Sequence, residues 1–195
     1  MNVPRIFCIG RNYAEHVKEL GNAPDNTCVV FMKPGSCLVP AGQAVTLPKG
    51  RGAVHHEAEL VLRLDARGQI DALTLGLDLT LRELQNELKK KGSPWELAKA
   101  FDHAAPLGDW VPYTGQDLEA LTFGCSVNGA LRQQGNTKDM LFSCARILSI
   151  LAQTWAPAAG DIIYTGTPAG VGPLVSGDRI AVESSTLGHW QWQCH

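Results

Sequence analysis

Apolar and polar positions along this chain change register often. Short apolar runs bounded by Gly and Pro alternate with a few stretches of helical period. Residues 5–9, with Ile6-Phe7-Cys8-Ile9, read as a β run. Residues 12–20 have helical character and stop at Gly21-Asn22. Residues 29–32 form a further apolar strand, closed by Pro34-Gly35. Val39-Pro40 and Leu47-Pro48-Lys49-Gly50 mark turns. Residues 56–64 alternate and predict a strand.

The helix with the most signals covers residues 81–91. Thr80 and Glu83 have the spacing of a capping box, in which each side chain satisfies a free amide of the first turn. Leu81, Leu84 and Leu88 supply the apolar stripe. Lys89, Lys90 and Lys91 suit the negative end of the helix dipole, and Gly92 with Ser93-Pro94 stops the helix. A second helix is predicted over residues 139–154, with Leu141, Ala145, Leu148 and Leu151 about one turn apart. Strands follow at 162–165 and 179–183. Many short strands with two or three helices predict an α+β, mainly β, fold.

With 195 residues the chain suits one domain with a sizeable core. The formal net charge is −2 and no block of like charge occurs. Nucleic acid and anionic membrane are therefore not expected as partners. No apolar run approaches the roughly 20 residues that cross a bilayer. Met1-Asn2-Val3-Pro4-Arg5 leads into only a short apolar run, so no secretion signal is expected. None of the six cysteines is spaced as C-x-x-C. They are expected to be reduced thiols in a cytoplasmic protein.

Candidate chemistry begins at His55-His56-Glu57-Ala58-Glu59-Leu60. On a strand, Glu57 and Glu59 share a face, with Ala58 and Leu60 on the other. Two such carboxylates repel unless a cation lies between them, and oxygen ligands favour Mg²⁺, Mn²⁺ or Ca²⁺. A solvated strand face carrying two acids is the alternative. Asp78, in an apolar strand end before the capped helix, is either a helix cap or a third ligand. Arg82 and Gln85 share a helical face. Lys99, among apolar neighbours, is either a snorkelling surface residue or a buried cation facing an anion. His16 and Glu19 stand i, i+3, a spacing that suits either an exposed pair or a base with its orienting carboxylate. The loop Thr165-Gly166-Thr167-Pro168-Ala169-Gly170-Val171-Gly172 follows a strand. It offers amides and hydroxyls to an anion, or is simply a turn.

Taken in order, several stretches resemble the fumarylacetoacetate hydrolase family, nearest its acylpyruvase and oxaloacetate decarboxylase branch. The first are Gly10-Arg11-Asn12-Tyr13-Ala14-Glu15-His16, Phe31-Met32-Lys33-Pro34 and His55-His56-Glu57-Ala58-Glu59. Next come Leu77-Asp78-Leu79-Thr80-Leu81-Arg82-Glu83-Leu84-Gln85 and Lys89-Lys90-Lys91-Gly92-Ser93-Pro94-Trp95, continuing to Lys99. The last are Val127-Asn128-Gly129 and Gly160-Asp161-Ile162-Ile163-Tyr164-Thr165-Gly166-Thr167-Pro168. The match extends to about Asp178. The segment from Glu59 to Asp78 departs from it, being shorter, with residues 64–74 where relatives carry a helix. Trp190 to His195 match no motif.

The resemblance implies a rolled mixed β structure with flanking helices, a homodimer, and a lid over about residues 10–22. It implies one Mg²⁺ or Mn²⁺ on Glu57, Glu59 and Asp78, with catalytic roles for His16, Glu19 and Lys99. It places Arg82, Gln85 and Thr167 against substrate, and Arg11 and Lys33 at further pocket positions. The expected activity is metal-dependent cleavage of a carbon–carbon bond in a small 2-oxo acid, by acylpyruvate hydrolysis or oxaloacetate decarboxylation. In hydrolysis, His16 oriented by Glu19 would activate water, while Lys99 would sit beside the developing enolate. Isomerisation or hydration of a 2-oxo diacid, or binding without turnover, are the alternatives.

Overall fold

The computed structural model describes residues 5–19, 21 and 27–195. The N-terminal residues Met1 to Pro4, the expected last helical residue Leu20 and the stop residue Asn22 lie outside them. The fold is mainly β, with three curled sheets and a few short helices among the described residues. The largest sheet follows the order Val29–Lys33, Ile6–Gly10, Ile162–Tyr164, Ala58–Leu64, Ile70–Leu77, Ala105–Leu107, Leu38–Pro40, with Val111–Pro112 paired on Ile70–Leu77. It is mixed: Ile6–Gly10 runs parallel to Ile162–Tyr164 and antiparallel to Val29–Lys33. The second sheet runs Ala130–Asn136, Thr122–Val127, Arg179–Ser184, Gly188–Cys194, Ala44–Val45. The third is small: Gly172–Leu174, Val54–His56, Thr80–Leu81.

The period of two in Ala58–Leu64 has a direct cause. Ala58, Leu60, Leu62 and Leu64 enter the main core, whereas Val61 packs into a second cluster with Ile6, Cys8, Ile162 and Tyr164. Both faces of this strand are covered, so its residues from Ala58 to Leu62 are all buried. Glu59 shares a face with Val61 and is buried as well. The Asp65 side chain accepts hydrogen bonds from the amides of Arg67 and Gln69 and closes a tight turn. Ile70–Leu77 then returns antiparallel, with Glu59 opposite Gly76. This turn lies within residues 64–74, the segment expected to be shorter than in the family. Gly76 is required here, because a Cβ would lie 2.8 Å from the Tyr164 ring and 2.9 Å from the Pro106 oxygen.

Helix α1 is Ala14–Glu19, α2 is Arg82–Lys91, α3 is Glu96–Lys99 and α4 is Cys144–Leu151. The end of α2 is as the sequence reads, with Gly92 in the left-handed conformation at φ 64°. Its start is not. Leu81 is the cap residue and no side-chain cap bond forms. The Thr80 hydroxyl instead donates to the Asp78 carbonyl, and Glu83 accepts from the Ala53 amide. The expected capping box is thus replaced by tertiary bonds. The second expected helix also starts later than residue 139. Ser143 caps α4 by accepting from the Arg146 amide; before it, Asp139 ends a separate 3-10 turn, Thr137–Asp139, and Met140 is extended. Tyr13 bridges Met140, and Leu141 donates its amide to the Asn12 carbonyl.

The tail without a motif is the strand Gly188–Cys194, which buries Trp190 and Trp192. No described helix is long and apolar enough to cross a membrane.

Candidate functional site

The site forms where two paired strands leave one sheet for another. Val54–His56 lies in the small sheet and Ala58–Leu64 in the large one, so Glu57 is the residue at which the chain crosses. On the returning arm the chain crosses between Leu77 and Thr80, through Asp78. The Asp78 amide donates to the Glu57 carbonyl at 2.8 Å, locking the two crossings together. Glu57, Glu59 and Asp78 are all buried, and each offers an oxygen within 4.8 Å of the other two. The solvated-face reading of the Glu pair does not hold.

Three cations surround this triad. Lys99 is buried, and its Nζ donates to Glu57 at 2.8 Å, Asp78 at 2.6 Å and the Thr80 hydroxyl at 2.7 Å. Arg82 pairs with Glu57 and donates to Gln85 Oε1 at 2.7 Å. Lys33 Nζ lies 2.9 Å from Asp78 Oδ1 while donating to the carbonyls of Leu79, Lys99 and Ala104. Those three carbonyls use all the Lys33 protons, so Asp78 Oδ1 has charge beside it but no hydrogen-bond donor.

The two glutamates respond in opposite directions. Burial alone pushes the Glu57 carboxyl up, but Lys99 and Arg82 outweigh it and hold the group well below the usual range. Burial pushes Glu59 well above the usual range, and the neighbouring Asp78 and Glu57 charges push the same way. Glu59 accepts one bond, from the Gly166 amide at 2.6 Å. Among the described residues no cationic nitrogen lies within ion-pair distance of it. For Lys99, burial favours the neutral form, yet Asp78 and Glu57 raise its pKa to about 12.

This donor set fits a hard divalent cation. It offers three carboxylates, one buried oxygen without a donor, and one carboxylate whose pKa is pushed up by burial and by its acidic neighbours.

The triad opens on a small cavity of about 30 Å³, lined also by His16, Arg11, Arg82, Gln85, Lys99 and Thr167. His16 is buried on α1, and its Nδ1 lies 3.0 Å from Glu19 Oε2. The other Glu19 oxygen accepts the Gly170 amide at 3.0 Å. Thr167 donates to the Ala58 carbonyl and accepts from Gln133. Lys33 does not line the cavity; it sits behind Asp78. The Gly166 amide is turned onto Glu59 at φ 104°, where a Cβ would meet the Asn12 Cβ at 2.6 Å. The glycine-rich loop therefore holds the protein's own carboxylates. A groove of about 630 Å³ on the second sheet is larger, but it shares no residue with this cluster and gathers no comparable set of charges.

Three residues were not singled out by the sequence. Asn12 anchors α1 through bonds to Thr165 and Phe142. Gln133 is buried on Ala130–Asn136 and joins His56, Ala58, Thr167 and Pro168. Lys89 also lines the cavity, and its seven-residue spacing from Arg82 was the available signal.

Comparison with known proteins agrees with this geometry. The family described as fumarylacetoacetate (FAA) hydrolase C-terminal matches residues 5–193. The oxaloacetate tautomerase YcgM of Escherichia coli is 42% identical over 193 residues, covering 92% of this chain and 88% of that protein. The mitochondrial oxaloacetate tautomerase FAHD1 of Mus musculus is 41% identical, covering 90% of this chain and 84% of its own. Among solved structures, a fumarylacetoacetate hydrolase family protein from Yersinia pestis superposes with a TM-score of 0.94 at 38% identity, covering 100% of this chain and 95% of its own. A Pseudomonas aeruginosa fumarylpyruvate hydrolase in complex with Mn²⁺ and pyruvate gives 0.93 at 32% identity, covering 98% and 89%. On the extent of these matches and the order of its motifs, the chain belongs to the fumarylacetoacetate hydrolase family.

Proposed function

We propose that this chain interconverts the keto and enol forms of a small 2-oxo dicarboxylic acid, with oxaloacetate as the leading candidate. The observation that carries this reading is the meeting of two devices at one buried cavity. One is the triad Glu57, Glu59 and Asp78; the other is the His16–Glu19 pair. The names of the E. coli and mouse relatives support the substrate class.

Glu57, Glu59 and Asp78 would hold one Mg²⁺ or Mn²⁺. Such an ion supplies Lewis-acid polarisation of a keto oxygen, which acidifies the adjacent C–H. His16 moves the proton. Glu19 accepts from its Nδ1–H, which leaves Nε2 as the basic nitrogen facing the cavity. Glu19 is itself fixed by Gly170, so the imidazole keeps one orientation. Lys99 keeps its charge far above neutral pH and stabilises the developing enolate oxygen. Arg82 and Gln85, tied to each other, orient the acid in the narrow cavity.

Carbon–carbon bond cleavage is the second reading. The Mn²⁺- and pyruvate-bound hydrolase relative favours it, since the same His16–Glu19 pair can activate a water.

The test follows the decay of enol oxaloacetate together with pyruvate release, from oxaloacetate and from acetylpyruvate, in Mg²⁺, Mn²⁺ and EDTA. Metal-dependent loss of the enol without matching pyruvate is the expected result. Faster pyruvate release from acetylpyruvate would select cleavage instead. No acceleration of any of these would overturn both readings.

A further inference from the structure

Lys89 differs from its neighbours on α2. Lys90 and Lys91 are exposed, whereas Lys89 is half-buried and lines the cavity. Its Nζ stands 5.1 Å from the centre of the Trp95 ring. Trp95 packs against Phe31 with ring centres 5.8 Å apart, and Lys99 Nζ stands 5.0 Å from the centre of Phe31. An aromatic pair therefore separates two ammonium groups. The inner one, Lys99, belongs to the carboxylate triad. The outer one, Lys89, lies seven residues beyond Arg82 on α2, about 10 Å along the helix axis.

Of the other cavity cations, Lys99 and Arg82 are already paired with carboxylates of the triad, and Arg11 is engaged. Lys89 has no acidic side chain within ion-pair distance among the described residues. Burial, then Arg82, lowers its pKa to about 8, the response of a cation without a nearby counter-ion.

We propose that Lys89 binds the distal carboxylate of the substrate and makes the site selective for 2-oxo dicarboxylic acids over monocarboxylic ones. This rests on the reading above that the 2-oxo acid head sits at the triad. The Phe31–Trp95 wall then lines the short carbon chain between the two charged ends.

The test is equilibrium binding to Mn²⁺-loaded protein of two non-reacting acids with the same 2-hydroxy acid head, L-malate and L-lactate. Wild-type protein should bind malate at least about tenfold more tightly, the scale of one charge-assisted hydrogen bond. Lys89→Met should bring the ratio close to one, and Lys89→Arg should keep it. Wild-type protein with no preference for malate, or a preference that survives in Lys89→Met, would overturn the assignment. A preference for malate in a protein that does not accelerate the enol decay of oxaloacetate would instead overturn the proposed reaction and leave the role of Lys89 standing.

Discussion

Glu59 holds a carboxyl group where its charge has least support. Burial and the flanking Asp78 and Glu57 raise its pKa well above 4.5, so the folded, metal-free protein keeps a proton that the unfolded chain releases. Between the unfolded and folded pKa values the native state binds the extra proton. Stability from this group is therefore full below about pH 4.5 and is lost as pH rises toward the folded value. Glu57 behaves oppositely, its contribution being complete above the ordinary carboxylate range and lost below it. Above about pH 5 the trend from this pair accordingly belongs to Glu59. In EDTA, the melting temperature of the wild type should fall with rising pH more steeply than that of Glu59→Gln, whose amide mimics the neutral acid. Mn²⁺ should raise the wild-type melting temperature increasingly with pH, because the ion replaces the proton. It should do little for Glu59→Gln. Parallel pH profiles for the two proteins in EDTA would show that Glu59 is not the protonated group.

At the scale of elements, legibility depended on whether one neighbour or several fix a residue. The strands at Ile6–Gly10, Val29–Lys33 and Arg179–Ser184 and the Gly92 stop of α2 were readable, because alternation and a left-handed glycine are local properties. The Glu57–Glu59 pair was suggested by its spacing of two, although Glu57 lies at the crossing between two strands, and Asp78 was left open between cap and ligand until the family resemblance joined it to the pair. Thr80 was misread because capping is a local rule, while its hydroxyl serves Asp78 and Lys99 from distant segments. Gln133 was invisible, being a buried amide on a strand with exposed Ala130, Leu131 and Arg132. The hairpin that carries it turns on Asn128-Gly129, at φ 53° and 79°, a signal quoted only as part of the family resemblance. Gly76 is an element-scale constraint of the same kind. The ring of Tyr164 and the backbone of Pro106 occupy the space of its absent side chain. Tyr164 also donates to the Pro106 carbonyl, which leaves little room to retreat. Gly76→Ala should destabilise the protein by about 1–3 kcal/mol, the usual cost of overpacking. Chemical denaturation measures this, and a cost below about 0.5 kcal/mol would mean that the ring moves freely.

For the whole molecule the question is how a substrate reaches so narrow a site. The cavity of about 30 Å³ has room for roughly one water molecule, not a four-carbon acid. A wall must give, and the restraints on α1 identify it. The start of α1 is held firmly: Asn12 bonds to Thr165 and Phe142 from both ends of its amide, and Tyr13 bridges Met140. The far end is held by Glu19 on the Gly170 amide, and Glu19 is partly exposed. An exposed hydrogen bond of this kind contributes about 1 kcal/mol, small enough for thermal opening. The opposite walls are Glu57, Glu59 and Asp78, which adjoin paired strands of the core, and Arg82, Gln85 and Lys99 of α2 and α3, of which Arg82 and Lys99 are tied to those carboxylates. Helix α1 should therefore pivot about Asn12 and carry His16 away from the triad, then return over bound acid. Hydrogen exchange measures this directly. The Val17 amide, bonded to the Tyr13 carbonyl, should exchange far faster than the Leu62 amide in free protein. Mn²⁺ with L-malate should slow Val17 by tenfold or more and leave Leu62 nearly unchanged. Equal protection of both amides would mean that the ligand stabilises the fold as a whole, and that the acid enters without a pivot of α1.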